Sequence, residues 1–390
     1  MNFIFAERMQ GLGTETAFEV LAKAKALEKE GREIVHLEIG EPDFDTPKNI
    51  RDAAIEAMNA GYTHYVPAAG LPEFRLAIAD YISRTRSIDV SPQEVIVTPG
   101  AKPIIFFSIL ACVEYGDEVM YPNPGFPAYE SLINFIGAKG VPMHLREENN
   151  FALDTTDILD KISDKTKMII LNFPENPTGG LLTKENLEGI AEKVKDRDDL
   201  IILSDEVYSR IIYEGEHRSI ASLPGMKSKT TIIDGFSKTY AMTGWRLGYG
   251  VMRKDLAEKI SQLMINSNSC TSAFSQMAGI EALTGPQKEV ERMVEEFKQR
   301  REIIVPGLNK IEGITCKEPK ATFYVFPNTK GLNMNSKKLA DFLLNKGGVA
   351  ALSGTSFGSN GEGYMRFSFA NSIANIEKAL ARIEEAVENL

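Results

Sequence analysis

The chain has 390 residues, of which 43% are hydrophobic and 25% charged, a composition typical of a globular protein with a sizeable core. Its formal net charge of -10, without a long basic run, argues against a nucleic-acid partner. No stretch approaches the roughly 20 apolar residues of a transmembrane helix, and the start lacks the basic-then-apolar order of a signal peptide, so we expect a soluble, cytoplasmic protein.

The first predicted elements are a helix and a short strand. Apolar residues recur at helical spacing in TAFEVLAKAKALEK, residues Thr16–Lys29, and Gly31 follows as a candidate C-cap. The apolar run EIVHLEIG then predicts a strand that ends before Pro42.

From about residue 46 to residue 284, short apolar runs alternate with longer amphipathic ones. The predicted strands lie in EVIVTPG, DEVMYPNP, KMIILNFP, LIILSDEVY and TTIIDGFS. A helix is predicted in TKENLEGIAEKVKD, between two of these strands. Such alternation predicts an α/β fold with a mainly parallel sheet between layers of helices.

The pattern changes near residue 285. A long charged helix in KEVERMVEEFKQRREIIVPGLNKI precedes short strands in ATFYVFP and GYMRFSFA and a final amphipathic helix. We therefore expect a large cofactor-binding domain over residues 46–285 and a small α+β domain over residues 286–390. Residues 1–45 are predicted to form an N-terminal arm and part of the small domain, so that both termini build it.

One lysine stands out in the stretch GFSKTYAMTGWRLGY. Lys238 lies among small and aromatic residues directly after the predicted strand TTIIDG. A lysine in such surroundings can cover apolar surface with its aliphatic stem, or it can be an amine with a lowered pKa that forms an imine. The stretch alone leaves both interpretations open.

Polar and glycine-bearing groups follow four of the predicted strands. Ligands bind at the carboxyl ends of the strands in an open parallel sheet. In chain order these ends carry Gly100, Ala101 and Lys102, then Asn176, then Asp205 and Tyr208, then Ser237, Lys238 and Arg246. Each has a structural alternative: a plain connection at the glycines, a turn at NPTGG, a helix cap or ion pair at the aspartate, and a core position for the tyrosine.

Together these groups match the needs of pyridoxal phosphate. That cofactor needs an amine for an imine, an anion site for its phosphate, a carboxylate beside its protonated ring nitrogen, and donors to its ring hydroxyl. A glycine turn before a helix N-terminus suits the phosphate. We assign Lys238 as the amine, and the Gly100 turn with Arg246 as the phosphate site. Asp205 is the carboxylate beside the ring nitrogen, and Asn176 with Tyr208 donates to the ring hydroxyl.

The remaining candidate ligands form no recognisable site. Cys112, Cys270 and Cys316 are widely spaced and include no C-x-x-C pair. The four histidines have no metal-ligand spacing. We expect free thiols, as in a reducing compartment, and no metal.

The sequence resembles the class I and II aminotransferases of fold-type I, in their aspartate aminotransferase-like branch. The resemblance spans nearly the whole chain and rests on GEPDF, YVPAAGLPEFR, NFPENPTGG, SDEVY, FSKTYAMTGWRLGY and YMRFSFA in this order. It implies a homodimer in which an amino group moves between an amino acid and a 2-oxo acid in two half-reactions.

The resemblance also implies roles for further residues. Arg366 matches the arginine that binds the substrate α-carboxylate, and Gly40 and Asn176 match groups near it. Phe126 matches the aromatic residue that stacks on the pyridine ring, and Tyr65 matches a tyrosine that reaches the phosphate in the neighbouring subunit. From sequence alone, Arg366 could equally be a surface charge and Phe126 a core residue.

Two segments depart from the family pattern. Gly235 occupies a position where many relatives have a phosphate-binding serine, so the phosphate would depend more on Ser237, Arg246 and the Gly100 turn. Near the start, GLGTETAF replaces a common proline-serine pair. We expect Glu15 of this segment to face solvent, and we expect aspartate or glutamate as donor with 2-oxoglutarate as acceptor. An aminotransferase for aromatic or neutral amino acids, or a C–S lyase on the same fold, is the alternative.

Overall fold

The structure is a computed structural model, and it describes residues 5–390. Its helices are α1 Thr16–Lys29, α2 Lys48–Asn59, α3 Pro72–Arg86, α4 Lys102–Cys112, α5 Ala128–Phe135, α6 Thr155–Lys161, α7 Lys184–Val194, α8 Lys254–Ser267, α9 Ala273–Thr284, α10 Lys288–Lys310, α11 Ser336–Phe342 and α12 Ile373–Glu388. Its strands are β1 Val35–His36, β2 Val95–Thr98, β3 Glu118–Asn123, β4 Lys139–His144, β5 Thr166–Asn172, β6 Ile201–Asp205, β7 Thr230–Gly235, β8 Gly248–Val251, β9 Tyr324–Val325, β10 Val349–Ala350, β11 Leu352–Ser353 and β12 Met365–Ser368. The helix predicted over Thr16–Lys29 is confirmed.

A mixed sheet forms the centre of the molecule. Its strand order is β2-β8-β7-β6-β5-β3-β4, and all neighbouring pairs are parallel except those of β8 with β2 and β7. The α/β fold with a mainly parallel sheet is therefore confirmed. The register pairs Asn172 with Asp205 and Asp205 with Ile233, so the ends of β5, β6 and β7 meet at one edge.

Strands β4 and β8 were not predicted from the sequence. Strand β4, with the sequence KGVPMH, has a glycine and a proline in a run too mixed to indicate a strand. Strand β8 contains Gly248 and Gly250. A Cβ atom on Gly248 would lie 2.3 Å from the backbone nitrogen of Ala101. Glycine is therefore required at this position, because the turn after β2 passes directly beside the strand.

The two faces of the sheet pack against different helices. Leu203 lies in one core with Ile104 of α4 and Ile260 of α8. Ile202 lies in another core with Ile190 of α7. Because successive side chains of a strand point to opposite faces, Leu203 and Asp205 share one face of β6.

Residues near both ends of the chain share a further core, separate from those that cover the central sheet. Strand β1 pairs in parallel with β10, and β11, β12 and β9 form a small antiparallel sheet. Val35 and Leu37 are buried together with Phe297, Val349 and Ile383. The proposed domain bounds stay a prediction, and residues 1–4 of the N-terminal arm lie outside the described residues.

Candidate active site

Lys238 lies three residues beyond the end of β7. Its Nζ donates a hydrogen bond to the carbonyl oxygen of Gly40 and lies 6.0 Å from the ring centroid of Phe323. Burial lowers the pKa of Lys238 to about 8, and the positive charge of Arg366 acts in the same direction. More of this amine is therefore unprotonated near neutral pH than of an ordinary lysine, and a nucleophile or a base requires the unprotonated form.

Asp205 ends β6 and is buried. Its Oδ2 accepts a hydrogen bond of 2.7 Å from Oη of Tyr129, on α5, and its Oδ1 accepts one of 3.4 Å from the backbone nitrogen of Val207. Burial raises the pKa of Asp205 to about 6, against the lowering effect of these hydrogen bonds. The carboxyl is thus mostly an anion at pH 7, oriented by Tyr129.

Arg366 lies on β12 and is buried. Its Nη1 donates to Oδ1 of Asn176 over 3.2 Å, and its Nη2 donates to the carbonyl oxygen of Glu38. The guanidinium carbon lies 4.4 Å from the ring centroid of Tyr324 and 4.8 Å from that of Phe357. Among the described residues, Nε of Arg366 has no hydrogen-bond partner. A buried cation held in this way is suited to bind a carboxylate.

Arg366 and Lys238 are connected through Tyr324, Tyr208 and Gly40. The hydroxyls of Tyr208 and Tyr324 lie 2.8 Å apart in a hydrogen bond, and both side chains are buried. A Cβ atom on Gly40 would lie 2.0 Å from Oη of Tyr324. Any side chain at position 40 would therefore displace Tyr324, which explains why the chain has glycine there.

The turn after β2 brings Gly100 against Arg246. Gly100 has a φ of +88°, and a Cβ atom on it would lie 2.3 Å from Nη2 of Arg246. Arg246 is exposed, and its Nη1 donates to the carbonyl oxygen of Thr243 over 2.8 Å. Helix α4 begins at Lys102, directly after Ala101. A guanidinium beside a glycine turn at a helix N-terminus is a suitable anion site.

Glu15 was expected to face solvent, but its side chain is only partly exposed and also contacts a neighbouring cation. Its carboxylate forms an ion pair with Nζ of Lys102, and its side chain is 24% exposed. Lys102 also lies 5.4 Å from the ring centroid of Phe126. Both charged residues line a cavity of about 560 Å³, which Thr14 and Arg246 also line. The expectation was wrong because α4 begins close to the segment before α1 and supplies a cation there.

The other predicted site residues are placed as follows. Ser237 is partly buried directly before Lys238, and Phe126 makes an edge-on contact with Tyr129 at a centroid distance of 5.6 Å. Tyr65 is 89% exposed in the single chain. The roles of all these residues stay predictions.

Two tyrosines and one backbone carbonyl were missed by sequence reasoning. Tyr129 lies in NPGFPAYES, where it was passed over for Phe126, and Tyr324 lies in the predicted strand ATFYVFP. Both appear in the sequence as ordinary core residues, and their hydroxyl partners come from distant parts of the chain. The carbonyl of Glu38 has no sequence signal, since every residue has a carbonyl.

Comparison with known proteins identifies the family. The family model for aminotransferase class I and II matches residues 32–383. The chain belongs to this family. It is 41% identical to an aspartate aminotransferase of Pyrococcus horikoshii, over 99% of this chain and 98% of the relative. It is 37% identical to an aromatic-amino-acid aminotransferase of Thermococcus litoralis, over 91% and 92% of the two chains. An alanine aminotransferase structure from Pyrococcus furiosus superposes with a TM-score of 0.94 at 33% identity, over 99% of this chain and 100% of the other.

The chain is thus a pyridoxal-phosphate-dependent transaminase of this family. The site fits this cofactor: it offers a partly buried lysine with a lowered pKa, a buried carboxylate, and a glycine turn beside an arginine that a Cβ would obstruct. Within residues 5–390, no helix is long and apolar enough to cross a membrane.

Proposed function

We propose that this aminotransferase moves the amino group of an L-amino acid, with aspartate preferred, to 2-oxoglutarate, and that Lys238 holds the cofactor covalently. The observation that supports this most is the hydrogen bond of the buried Arg366 with Asn176. Burial is the main cause of the lowered pKa of Lys238, and the charge of the same arginine adds to it, so the candidate carboxylate-binding cation and the candidate base act on one another within a single site.

The cofactor roles follow from the chemistry of the donor set. Asp205 would hold the protonated ring nitrogen, Tyr208 and Asn176 would donate to the ring hydroxyl, and Phe126 would pack on the ring. The phosphate would be held by the turn of residues 100–102, Ser237 and Arg246. When bound, pyridoxal phosphate supplies a ring that withdraws electrons from the substrate α-carbon.

The chain's own groups bind the substrate and move its proton. Arg366 binds the α-carboxylate with a planar fork, and the missing side chain at Gly40 lets Tyr324 pack against the backbone there. Lys238, once released from the cofactor, takes the α-proton as a general base and later returns a proton as a general acid. Its pKa near 8 keeps both forms populated near neutral pH.

Charge beside the site supports an acidic substrate. The side chain of Lys102 lines the cavity of about 560 Å³, and its cation can attract a second carboxylate. The Glu15–Lys102 ion pair acts in the opposite direction, because it offsets this cation. This pair keeps aromatic and neutral donors as the second candidate class.

We also propose that the functional unit is a homodimer. The 89% exposure of Tyr65 is compatible with a side chain that reaches a partner's phosphate site. The division into a large domain over residues 46–285 and a small one built from both termini belongs to the same proposal.

The test is a donor panel with a chemical trap. Aspartate, glutamate, phenylalanine and alanine are assayed with 2-oxoglutarate, and the protein is treated with borohydride before peptide mapping. The proposal expects the highest kcat/KM for an acidic donor and a reduced cofactor adduct on Lys238. Pyruvate release from a sulfur amino acid without any 2-oxo acid acceptor would instead identify a C–S lyase.

A further inference from the structure

A buried ionic cluster lies beneath the candidate active site. Arg86, the last residue of α3, is 5% exposed. Its Nε donates to Oε2 of Glu206 over 2.7 Å, and its Nη2 donates to Oδ2 of Asp234 over 2.9 Å. Nη2 also donates to Oγ of Ser209 over 2.9 Å. One guanidinium thus joins two carboxylates from different parts of the sheet.

Both carboxylates have further partners. Oε1 of Glu206 accepts hydrogen bonds from Ser204 and Ser219 at 2.9 and 2.6 Å, and Oε2 lies 2.8 Å from Nε2 of His217. Oδ1 of Asp234 accepts a 2.7 Å hydrogen bond from the backbone nitrogen of Gly235. A carboxylate with this many donors has one defined orientation, so its strand has little freedom to shift.

The cluster lies on the opposite face of the sheet from Asp205. Side chains alternate along β6, so Ser204 and Glu206 point away from the face on which Asp205 meets Tyr129. Glu206 follows Asp205 directly, and its backbone nitrogen donates to the carbonyl oxygen of Ile233 on β7 over 2.8 Å. The carboxylate that Arg86 binds is therefore one residue from the candidate partner of the cofactor ring.

The second carboxylate belongs to the strand that leads to the lysine. Asp234 is the penultimate residue of β7, and Lys238 follows four positions later. Arg86 therefore binds the ends of both strands from which Asp205 and Lys238 extend.

We infer that Arg86 is a positioning residue for amino-group transfer: through Glu206 and Asp234 it sets the separation of the strand ends that carry Asp205 and Lys238. The inference rests on the proposed function, in which these two residues act on one cofactor. Arginine suits this task because its rigid planar fork binds two carboxylates in a fixed geometry, whereas lysine offers a single flexible ammonium. A purely stabilising role is the competing explanation, although buried ion pairs are often no more stabilising than neutral groups of similar volume.

The test compares Arg86→Lys with a matched control, Arg301→Lys. Arg301 is also buried and also bridges two carboxylates, Glu214 and Glu318, but it lies on α10. For both variants we would measure the melting temperature, the dissociation constant for pyridoxal phosphate, the pH midpoint of the visible absorbance, and kcat. We expect the larger loss of stability in Arg86→Lys, because Glu206 and Asp234 are buried whereas the side chains of Glu214 and Glu318 are 54% exposed. Only Arg86→Lys should bind the cofactor about tenfold more weakly, shift the pH midpoint, and lose about 100-fold in kcat, as misplacement near 1 Å causes.

A second variant separates position from stability. The triple substitution Arg86→Met, Glu206→Gln and Asp234→Asn removes every formal charge of the bridge, so it should fold. The inference expects this protein to recover its melting temperature while kcat and cofactor affinity stay low. Wild-type values of kcat and cofactor affinity in this variant or in Arg86→Lys would overturn it. A wild-type protein without a borohydride-sensitive visible band would instead refute the proposed function itself.

Discussion

Tyr129 and Asp205 form a buried pair in which the phenol donates a 2.7 Å hydrogen bond to the carboxylate. Burial raises the pKa of Asp205 to about 6, and the bond from Tyr129 is the largest effect that lowers it. Together with the backbone nitrogen of Val207, the tyrosine therefore helps to keep this buried carboxylate ionised. This gives Tyr129 a testable part in cofactor binding although it carries no charge.

Replacing Tyr129 by phenylalanine should move the pKa of Asp205 upward. In the wild type, affinity for pyridoxal phosphate should fall as the pH drops through about 6, because the carboxylate becomes protonated. In Tyr129→Phe the same fall should begin at a higher pH. The measurement is a binding titration between pH 5 and 9. Tyr121→Phe, which removes a comparable 2.8 Å hydrogen bond to Glu130, serves as the control and should leave the profile in place.

Asp205→Asn should stabilise the cofactor-free protein while it abolishes most turnover. The pKa of Asp205 is raised from 3.8 to about 6, so its favourable contribution to folding is present below pH 4 and lost as the pH rises through 6. At pH 8 the neutral amide should raise the melting temperature by a few degrees, with little change at pH 4. Turnover should drop by several orders of magnitude, since the charged partner of the ring is lost. Near-normal turnover would make Asp205 a structural residue.

Covalent capture of the cofactor should depend on the pKa of Lys238. The amine reacts only when unprotonated, so the capture rate of the cofactor-free protein should rise through about pH 8 and then level off. An ordinary surface lysine would show its rise more than two pH units higher. Stopped-flow absorbance measures the rate. Lys238→Ala should show no visible band and no turnover, whereas a borohydride-trapped label on Lys102 would refute the assignment.

Glu15→Gln should change the choice of donor. In the wild type Glu15 offsets the charge of Lys102, so its removal should free the cation and raise kcat/KM for aspartate relative to phenylalanine by about tenfold. We would measure kcat/KM for aspartate, phenylalanine, alanine and lysine with 2-oxoglutarate in the wild type and in Glu15→Gln. If aspartate is slower than the neutral donors in the wild type, our preferred substrate is wrong. An unchanged ratio would show that the pair lies outside the substrate's reach.

Tyr65→Phe should weaken retention of the cofactor phosphate without unfolding the chain. The side chain is 89% exposed, so its hydroxyl contributes little within one subunit. Dialysis followed by absorbance measures the retained cofactor, and Tyr115→Phe, at 88% exposure, is the matched control. A fully active monomer in analytical sedimentation would remove the reason to place Tyr65 at a partner's site.

The sheet was largely predictable, because its buried parallel strands appear as continuous apolar runs and their polar ends carry Asp205 and Lys238. The partners of those ends were not predictable. Tyr129 approaches Asp205 from α5, and Tyr324 meets Tyr208 across 116 positions of sequence. Arg86 carries no motif, and its two carboxylates lie 120 and 148 residues away. The pattern of a segment indicates its secondary structure and its chemistry. It does not indicate which distant side chains will contact that segment in the folded chain.

The pairing of β1 with β10 affects how the protein is made. Val35 hydrogen-bonds to Gly348, and its strand partner Val349 leaves the ribosome more than 300 residues later. Synthesis at about 5–20 residues per second imposes a delay of tens of seconds on this contact. During that time the apolar side chains of Val35 and Leu37 lack the core that later covers them. A nascent segment exposed in this way is prone to aggregate, and the candidate carboxylate-binding arginine on β12 is among the last parts of the enzyme to be completed.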